Sequence, residues 1–169
     1  MTTPTTTFAG LALIATLCAG FTLGLTVPAR AGFDEAAAAY KRGDYARAVR
    51  EWRPLAEQGY SKAQYNLGIM YEKGRGVTQD YAEAARWYRK AAEQGFAEAQ
   101  YNLGVTYERG HGVPMDFVQA HMWYNLAASR YPPGEDRDKS VKNRDIVAEK
   151  MTPAQISEAQ KLAREWRPK

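Results

Sequence analysis

The sequence predicts an all-α protein, an α-solenoid of about four αα-hairpins, and two observations support this fold class. First, aligning 59–94 with 95–130 without gaps gives 18 identical residues out of 36, including AQYNLG in both copies. A repeat of this length is typical of arrays built from helix pairs. Second, small and apolar residues within each copy recur at three- and four-residue intervals, which is the spacing of an α-helix. The predicted units are 32–59, 60–94, 95–130 and 131–169.

The composition agrees with a folded protein and excludes several function classes. The chain has 169 residues, of which 45% are hydrophobic, and its mean hydropathy is −0.56. One cysteine excludes an internal disulfide, and two histidines leave little material for a zinc site, so we expect no metal and no cofactor. The formal net charge is only +4 and charges of both signs are interspersed, which argues against nucleic acid as a partner.

Residues 1–31 are predicted to be a signal peptide. Residues 11–27 are apolar and uncharged, and the small-residue sequence Ala29-Arg30-Ala31 follows before Gly32. This order is typical of an export signal cleaved between Ala31 and Gly32, which places the mature protein in the periplasm or outside the cell. No Lys or Arg precedes the apolar stretch, and its length is close to that of a membrane span. An uncleaved anchor is therefore the alternative, in which the repeats form a membrane-tethered scaffold.

The first repeat, 32–59, is predicted to be shorter than the next two. Its sequence aligns with theirs when the stretch 75–79 is deleted, so that Gly43 aligns with Gly74 and Asp44 with Asp80. A shortened terminal unit is typical of a solenoid, whose end units differ from the regular middle units.

The first helix of the second repeat carries Ala63, Leu67 and Tyr71 four residues apart, on one face. Gly68, beside Leu67, leaves room for another helix to approach closely, and Gly74 is predicted to end the helix. The third repeat has the same residue types at the aligned positions, which are Ala99, Leu103, Gly104, Tyr107 and Gly110. We expect these residues to form the structural core of the repeats.

The second helix of each repeat is predicted to begin at an aspartate. Asp80 is the expected N-cap, and Glu83 three residues later would complete a capping box. The same arrangement is predicted at Asp116 with Gln119, and at Ser61 with Gln64 for the first helix. The buried stripe of the second helix is expected to contain Ala84 and Trp87, and the aligned Ala120 and Trp123.

The C-terminal unit, 131–169, begins with the helix-breaking sequence YPPG and is predicted to contain two helices, at about 137–150 and 153–167. Thr152 is the expected N-cap of the last helix, with Pro153 at its first position and Gln155 in position for a capping box. We expect this hairpin to cap the array, because a terminal unit must turn a polar face to water.

The order of residues in the two copies resembles a known family. From Ala63 to Ala92, and again from Ala99 to Ala128, the sequence reads A-x-x-x-L-G-x-x-Y-x-x-G-x-G-V-x-x-D-x-x-x-A-x-x-W-Y-x-x-A-A. This order is similar to the Sel1-like repeat, a branch of the tetratricopeptide repeat superfamily. The resemblance implies a right-handed superhelix that binds partners, usually other proteins. It also implies bacterial relatives that are exported and act in envelope assembly, signalling or host contact.

In the superhelix that this resemblance implies, the first helices line the concave side, where a partner would bind. The face of these helices next to the buried stripe carries Tyr65, Ile69 and Glu72 in the second repeat, and Tyr101, Val105 and Glu108 in the third. These six residues are the candidates for partner contact, although the two tyrosines can also serve packing between repeats. Positions at which the copies differ are alternative sites for specificity, namely Arg75 and His111, and Met70 and Thr106.

No catalytic constellation is recognisable in the sequence. His111 lies in a loop and His121 on a second helix, and neither has an evident partner nucleophile. No Ser stands in a G-x-S-x-G turn, and the glycine-rich loops lack the Lys-Ser/Thr of a phosphate-binding loop. We therefore predict a non-enzymatic, monomeric scaffold that binds a protein or peptide in the bacterial cell envelope. The alternative is a protein that binds or hydrolyses cell-wall material, with aromatic and carboxylate side chains gripping a glycan or peptide.

Overall fold

The computed structural model describes residues 26–169, and this part of the chain forms eight α-helices and no strand. In chain order the helices are α1 (Thr26–Lys41), α2 (Tyr45–Glu57), α3 (Ser61–Lys73), α4 (Tyr81–Glu93), α5 (Ala97–Arg109), α6 (Phe117–Arg130), α7 (Glu135–Ala148) and α8 (Pro153–Glu165). The predicted all-α fold made of helix pairs is confirmed. Residues 1–25 of the expected signal peptide, 1–31, lie outside the described residues. Ala31 and Gly32, which flank the predicted cleavage site, lie within α1. From residue 26 onward, no helix combines the length and apolar character that crossing a bilayer requires.

The first seven helices stack in chain order. Each helix from α1 to α6 packs against the next one, so that α1–α2, α3–α4 and α5–α6 are helix pairs in direct contact with their neighbours. Such serial packing makes a solenoid, in which each pair buries its apolar face against the adjacent pairs. Residues 42–44 alone separate α1 from α2, whereas 74–80 separate α3 from α4. The first pair therefore has the shorter loop that the sequence alignment indicated.

The C-terminal helices depart from this order. α7 packs against α6 as a next first helix should, but α8 also packs against α6 instead of pairing mainly with α7. Leu162, Ala163 and Trp166 lie on the apolar cluster formed by α4, α5 and α6. The chain end continues this contact, because the Lys169 amide donates a hydrogen bond of 2.9 Å to the Glu93 carbonyl oxygen. The terminal hairpin thus closes over the third repeat rather than stacking as a further regular unit.

The loop between the two helices of the second and third repeats contains glycines with positive φ, which allow the chain to turn there. Gly74 and Gly110 end α3 and α5 in the left-handed conformation, with φ of 62° and 69°. Gly76 and Gly112 have φ of 72° and 74°, and each lies against the backbone at the start of the preceding second helix. A Cβ on Gly76 would approach the Tyr45 backbone to 2.5 Å, so both the conformation and the contact favour glycine.

The N-cap predicted at Asp80 is present, but its capping box is not complete. The Asp80 carboxylate accepts hydrogen bonds from the amides of Ala82 and Glu83, at 2.9 and 3.0 Å. The Glu83 carboxylate accepts instead from the guanidinium of Arg86 and the indole of Trp87, at 2.9 and 2.8 Å. Because these partners lie further along α4, the Glu83 side chain is held away from the start of the helix.

The caps predicted further along the chain behave differently from one another. Asp116 accepts a hydrogen bond of 3.0 Å from the Gln119 amide, but no reciprocal bond from the Gln119 side chain occurs among the described residues. The box at Thr152 and Gln155 is complete, with Pro153 in the first turn of α8. Of the two, only the C-terminal helix therefore has the reciprocal cap that its sequence predicted.

The prediction that Ser61 and Gln64 cap α3 is wrong. α3 begins at Ser61 itself, and the residue at the N-cap position makes no side-chain hydrogen bond to the helix. Gln64 is buried, and its Nε2 donates a hydrogen bond of 3.0 Å to the carbonyl oxygen of Ala56 near the end of α2. Gln100 makes the same bond to Ala92, at 3.1 Å. These glutamines satisfy carbonyl groups that the ends of the preceding helices leave free.

Most of the predicted core residues are buried. They are Ala63, Leu67, Gly68, Ala84 and Trp87 in the second repeat, and Ala99, Leu103, Gly104, Ala120 and Trp123 in the third. Tyr71 and Tyr107 are only partly buried, and their hydroxyl groups accept hydrogen bonds of 2.9 and 2.7 Å from arginines of the preceding second helix. Gly74 and Gly110 lie in the loops and not in the core, since they provide the left-handed turn.

The glycines that follow the buried leucines bring the two helices of a repeat together. A Cβ on Gly104 would lie 2.7 Å from the Tyr124 ring, and Gly68 stands in the same relation to Tyr88. Because packed carbon atoms do not approach a ring so closely, a larger residue would push the second helix away. This is the close approach that the sequence indicated at Gly68.

Candidate functional site

The residues that the sequence indicated as partner contacts lie where neighbouring first helices meet. We call the surface that carries Tyr65, Ile69, Glu72, Tyr101, Val105 and Glu108 the first-helix face. Three cavities open along this face within the described part of the chain. Each is lined by residues from at least two of the helices α1, α3, α5 and α7.

One of these, the tyrosine cavity, has a volume of about 160 Å³ and lies where α3, α5 and the start of α7 meet. It brings the candidates Tyr65 and Tyr101 together, although they stand in different repeats, and adds Tyr131 from the loop before α7. The remaining lining residues are Glu98, Asn102, Asp136 and Lys139.

The other two cavities contain three further candidates. The bridging cavity, of about 40 Å³, lies between the C-terminal halves of α3 and α5 and is lined by Glu72 and Val105. The N-terminal cavity, of about 260 Å³, is lined by Ile69 together with Trp52 and residues of α1. Glu108 lines none of the three. The structure therefore places five of the six candidates beside a cavity.

Tyr65 and Tyr101 also pack between helices. The Tyr65 ring lies 5.9 Å from the Tyr88 ring and 5.4 Å from the Phe96 ring, measured between centroids. The Tyr101 ring lies 5.5 Å from that of Tyr124. Both side chains are half-buried, so each contributes one face to the protein interior and leaves the rest of the ring at the cavity.

Glu72 and Glu108 form equivalent hydrogen bonds inside the two repeats. The Tyr88 hydroxyl donates to Glu72, and the Tyr124 hydroxyl donates to Glu108 at 2.7 Å. Burial raises the pKa of both tyrosines, and the neighbouring carboxylates raise it further, so both hydroxyls stay protonated as donors. Glu108 also forms an ion pair of 3.6 Å with Lys150. These two glutamates therefore have structural partners as well as exposure on the first-helix face.

Arg75 and His111, the loop residues that differ between repeats, occupy equivalent places. The Arg75 guanidinium lies 5.1 Å from the centroid of the Tyr45 ring and donates a hydrogen bond of 2.8 Å to the Tyr40 hydroxyl. The His111 ring lies 4.8 Å from that of Tyr81, which is the residue aligned with Tyr45. Each side chain thus covers the tyrosine that begins the preceding second helix, and His111 also lines the bridging cavity.

Met70 and Thr106, the other pair of differing positions, are both buried. Met70 is 0% exposed and packs in the cluster that contains Trp87. Thr106 is 8% exposed, and its hydroxyl donates a hydrogen bond of 2.8 Å to the Asn102 carbonyl oxygen. Thr106 also lines the bridging cavity, whereas Met70 lines none of the three cavities, so the suggestion that these positions determine specificity stays a prediction.

The two histidines lie in different environments. His111 is exposed in a loop, whereas His121 is 3% exposed on α6. Burial lowers the pKa of His121, and the positive charge of Arg144 lowers it further. Within residues 26–169, no group of three or more His, Cys, Asp or Glu side chains is arranged to hold a metal ion.

Several cavity residues were not among the sequence candidates. Asn66 lines the N-terminal cavity, and the aligned Asn102 lines both the tyrosine and the bridging cavities. Both belong to the AQYNLG segment, so their identity in the two copies was a usable signal. Tyr131, Asp136 and Lys139 lie beyond the last regular repeat, where no periodic pattern could indicate them.

Stacked helix pairs, joined by glycine loops and lined with cavities along their first helices, define this protein as an α-solenoid of the helical-repeat class. Its sequence and structural relatives specify the kind of repeat. The chain belongs to the Sel1 repeat family, whose model matches residues 61–96 and 97–131. These two segments contain α3–α4 and α5–α6.

Two solved structures are similar over most of this chain. A Sel1 repeat protein from Oxalobacter formigenes is 39% identical with a TM-score of 0.59, over 68% of this chain and 88% of that protein. The protein c5321 is described as a protective antigen present in uropathogenic Escherichia coli strains and displays an SLR fold. It is 35% identical with a TM-score of 0.75, over 82% of this chain and 29% of c5321.

Similarity to curated proteins is limited to one stretch. DAP3-binding cell death enhancer 1 from Rattus norvegicus and from Mus musculus are each 53% identical to this chain over 36 residues. The match covers 21% of this chain and 7% of either relative. It corresponds in length to a single repeat, so it concerns the repeat and not the whole of those proteins.

Proposed function

We propose that this protein is a non-enzymatic scaffold of the bacterial cell envelope that binds a protein or peptide partner along the first-helix face. Sel1 repeats generally mediate protein interactions, and proteins built from them are typically non-catalytic scaffolds. Our proposal adds three points to this general role: the cell envelope as the compartment, the first-helix face as the binding surface, and a protein or peptide as the ligand.

The row of cavities between neighbouring first helices carries the proposal. Asn102 lines both the tyrosine cavity and the bridging cavity, so these two adjoin on the face. The N-terminal cavity adds an apolar site beside Ile69 and Trp52. An extended peptide presents its side chains in alternation, and a helical peptide presents an apolar face at three- and four-residue intervals, so either can place side chains into such a row of cavities. Because stacked helices hold the face rigid, a partner binds without the cost of ordering it.

Export is supported by the sequence of residues 1–31, with its uncharged apolar run and the small residues before Gly32. The intact mass of the protein recovered from its native cells tests this part of the proposal. We expect a mass that corresponds to a chain beginning at Gly32. A mass that includes residues 1–31 would contradict cleavage, and membrane association of that species would support the tethered alternative.

The first-helix face is tested by comparing what variants recover from the cell envelope after chemical cross-linking. Tyr65→Ala/Tyr101→Ala removes two rings of the face. Because both rings also pack internally, Arg109→Ala is a second variant, whose exposed side chain lines the bridging cavity. Arg86→Ala is the matched control, since its side chain is 57% exposed on the second helix α4.

We expect the wild type and Arg86→Ala to recover the same partners. Tyr65→Ala/Tyr101→Ala should recover them at strongly reduced levels, and Arg109→Ala, which removes a single exposed side chain, at moderately reduced levels. Far-UV circular dichroism and thermal unfolding establish which variants are folded. If folded Tyr65→Ala/Tyr101→Ala and Arg109→Ala recover every partner at the wild-type level, the first-helix face is not the binding surface.

A further inference from the structure

The tyrosine cavity differs from the two neighbouring cavities in the charge of its walls. Three tyrosine rings surround it, and two carboxylates stand among them, those of Glu98 and Asp136. Glu98 belongs to the first turn of α5 and Asp136 to the first turn of α7. The faces of aromatic rings carry a partial negative charge, and carboxylates carry a full one, so both kinds of wall attract a cation.

Neither carboxylate is neutralised by an ion pair. Among residues 31–169, no Lys, Arg or His nitrogen lies within 4.0 Å of the carboxylate of Glu98 or Asp136. The negative charge of the two carboxylates acts on the tyrosine hydroxyls of the cavity. Burial raises the pKa of Tyr65 and Tyr131, and for both tyrosines Glu98 and Asp136 raise it further. The cavity therefore has two carboxylates against the single ammonium of Lys139.

That ammonium already occupies one wall of the cavity. The Lys139 Nζ lies 5.1 Å from the centroid of the Tyr101 ring, which is a cation–π distance. The Asn143 Nδ2 donates a hydrogen bond of 2.8 Å to the Tyr101 hydroxyl and helps to fix the ring. Lys139 thus shows that the ring accepts a cation, while neither carboxylate has an ion-pair partner among the described side chains.

The third repeat lacks the aromatic residue that covers the corresponding tyrosine of the second repeat. In the second repeat, the Tyr65 ring is covered by Phe96 at 5.4 Å. The corresponding position for Tyr101, thirty-six residues after Phe96, is Pro132, which is exposed. Without an aromatic ring at that position, the surface beside Tyr101 is left to Tyr131 and to the side chains of α7.

We propose that the tyrosine cavity binds the positively charged side chain, Lys or Arg, of a protein or peptide partner. This site deepens the proposed function and rests on it, because it specifies one contact on the first-helix face. A volume of about 160 Å³ accommodates the end of one side chain. The bound cation lies over the tyrosine rings, pairs with the carboxylates and displaces Lys139 from Tyr101.

Titration with short blocked peptides, followed by NMR of the isotope-labelled protein, tests this assignment. The probe is acetyl-Gly-Gly-Arg-Gly-Gly-amide, and its Lys analogue shows which cation is preferred. The matched neutral probe has citrulline in place of Arg, so it keeps nearly the same shape and loses the charge. We expect the charged peptides to shift the signals of Tyr65, Tyr101 and Tyr131, and the citrulline peptide to shift them much less at equal concentration.

Substitutions of the cavity walls sharpen the test. We expect Glu98→Gln and Asp136→Asn each to weaken binding of the Arg peptide by about twofold to fivefold, the size of a partly exposed charge pair. Lys139→Ala should strengthen binding, because it removes both a competing cation and a like charge. Glu135→Gln is the control, since it changes an exposed carboxylate on the same turn of α7 that does not line the cavity.

Equal shifts with the Arg and citrulline peptides would overturn the proposal, as would shifts confined to other parts of the surface. An equal loss in Glu135→Gln and Asp136→Asn would overturn it too, because the effect would then be one of overall charge. The cross-linking comparison above is independent of this result. If Arg109→Ala loses its partners while the Arg peptide leaves the cavity signals unmoved, the face binds its partner and the cavity assignment is wrong.

Discussion

The second repeat, α3–α4, and the third, α5–α6, share most of their internal contacts and differ mainly where each meets the rest of the chain. The shared contacts are the glycine beneath a tyrosine ring, the tyrosine hydroxyl on a glutamate, the glutamine on the end of the preceding helix, and the aspartate cap. All of them join a repeat to itself or to the pair before it. Because the preceding helix pair is similar for the two repeats, the same residue types make these contacts in both repeats.

The tryptophans show the difference. The Trp87 indole donates a hydrogen bond of 2.8 Å to Glu83. In the third repeat the residue aligned with Glu83 is Gln119, and the Trp123 Nε1 is buried without a hydrogen-bond partner among the described residues. Trp123 is covered instead by Trp166, with ring centroids 6.4 Å apart and planes at 73°. The two repeats therefore differ in one internal hydrogen bond, because Gln119 replaces Glu83, and in the chain end that covers the third repeat.

Removal of either tryptophan should produce the largest effect. We expect Trp87→Ala and Trp123→Ala each to lower the free energy of unfolding by about 3–5 kcal/mol, because both rings are buried. Trp87→Ala should lie at the upper end, since it also loses the bond to Glu83, whereas Trp123→Ala removes an unsatisfied N–H group. Urea unfolding of the two variants measures the difference. Unchanged unfolding midpoints would contradict their assignment to the core.

Substitution of the loop glycines should give the next largest loss of stability. Comparing two such glycines separates the cost of conformational strain from the cost of a steric clash. Gly76→Ala introduces both a positive-φ alanine and a clash with the Tyr45 backbone, so we expect a loss of about 2–4 kcal/mol. Gly59→Ala is the matched control. Its φ is 98° but nothing lies within 4 Å of the added Cβ, so only strain of about 1–2 kcal/mol is expected. Equal losses in thermal unfolding experiments would mean that the loop contact contributes nothing.

Removal of the tyrosine hydroxyls should lower the free energy of unfolding by a smaller amount, which differs between the two repeats. Tyr88→Phe removes the donor to Glu72, and we expect a loss of about 1.5–3 kcal/mol, as for a hydrogen bond to a charged group. Tyr124→Phe should cost less, because Glu108 keeps its ion pair with Lys150. Chemical denaturation of both variants at one pH tests the order. A larger loss for Tyr124→Phe would contradict a stabilising role for Lys150.

The smallest expected effect is the contribution of His121, in the third repeat, to the pH dependence of stability. Burial keeps the pKa of His121 below that of the unfolded chain, so the unfolded state takes up the proton first. The contribution of His121 to stability is therefore present above about pH 6.5 and decreases as the pH falls below it. Ala85 occupies the aligned position in the second repeat. Urea midpoints measured between about pH 5 and 7.5 should vary less for His121→Ala than for the wild type; an identical pH dependence would show that His121 is not involved.

Most of the features that could be predicted from the sequence are those that recur; the capping box at Thr152 and Gln155 occurs once and could be predicted because it depends only on local sequence. The helix pairs, the helix ends at Gly74 and Gly110, and the close approach at Gly68 follow from residue types that both copies share. A residue type that recurs at the same repeat position makes the same contacts in both repeats, so a general rule about that residue type predicts its role. Gln64 shows where this reasoning failed, because its spacing from Ser61 suggested a cap while its amide bonds the preceding helix.

The features that could not be predicted depend on contacts between parts of the chain that occur once. The packing of α8 on α6, and of Trp166 on Trp123, joins distant segments without a repeated signal. The tyrosine cavity is similar in this respect. Tyr65 and Tyr101 were indicated by their repeat positions, whereas Tyr131 and Asp136 reach the cavity only because the chain turns at 131–134 into α7.

A photo-cross-linking amino acid placed at Arg109 and, in a second variant, at Arg86 tests the central claim most directly. Both positions are exposed arginines, but Arg109 lines the bridging cavity at the end of α5 and Arg86 lies on the second helix α4. We predict that irradiation of intact cells joins the Arg109 variant to a discrete envelope protein and leaves the Arg86 variant without that product. The same product from both variants, or from Arg86 alone, would contradict partner binding by the first-helix face.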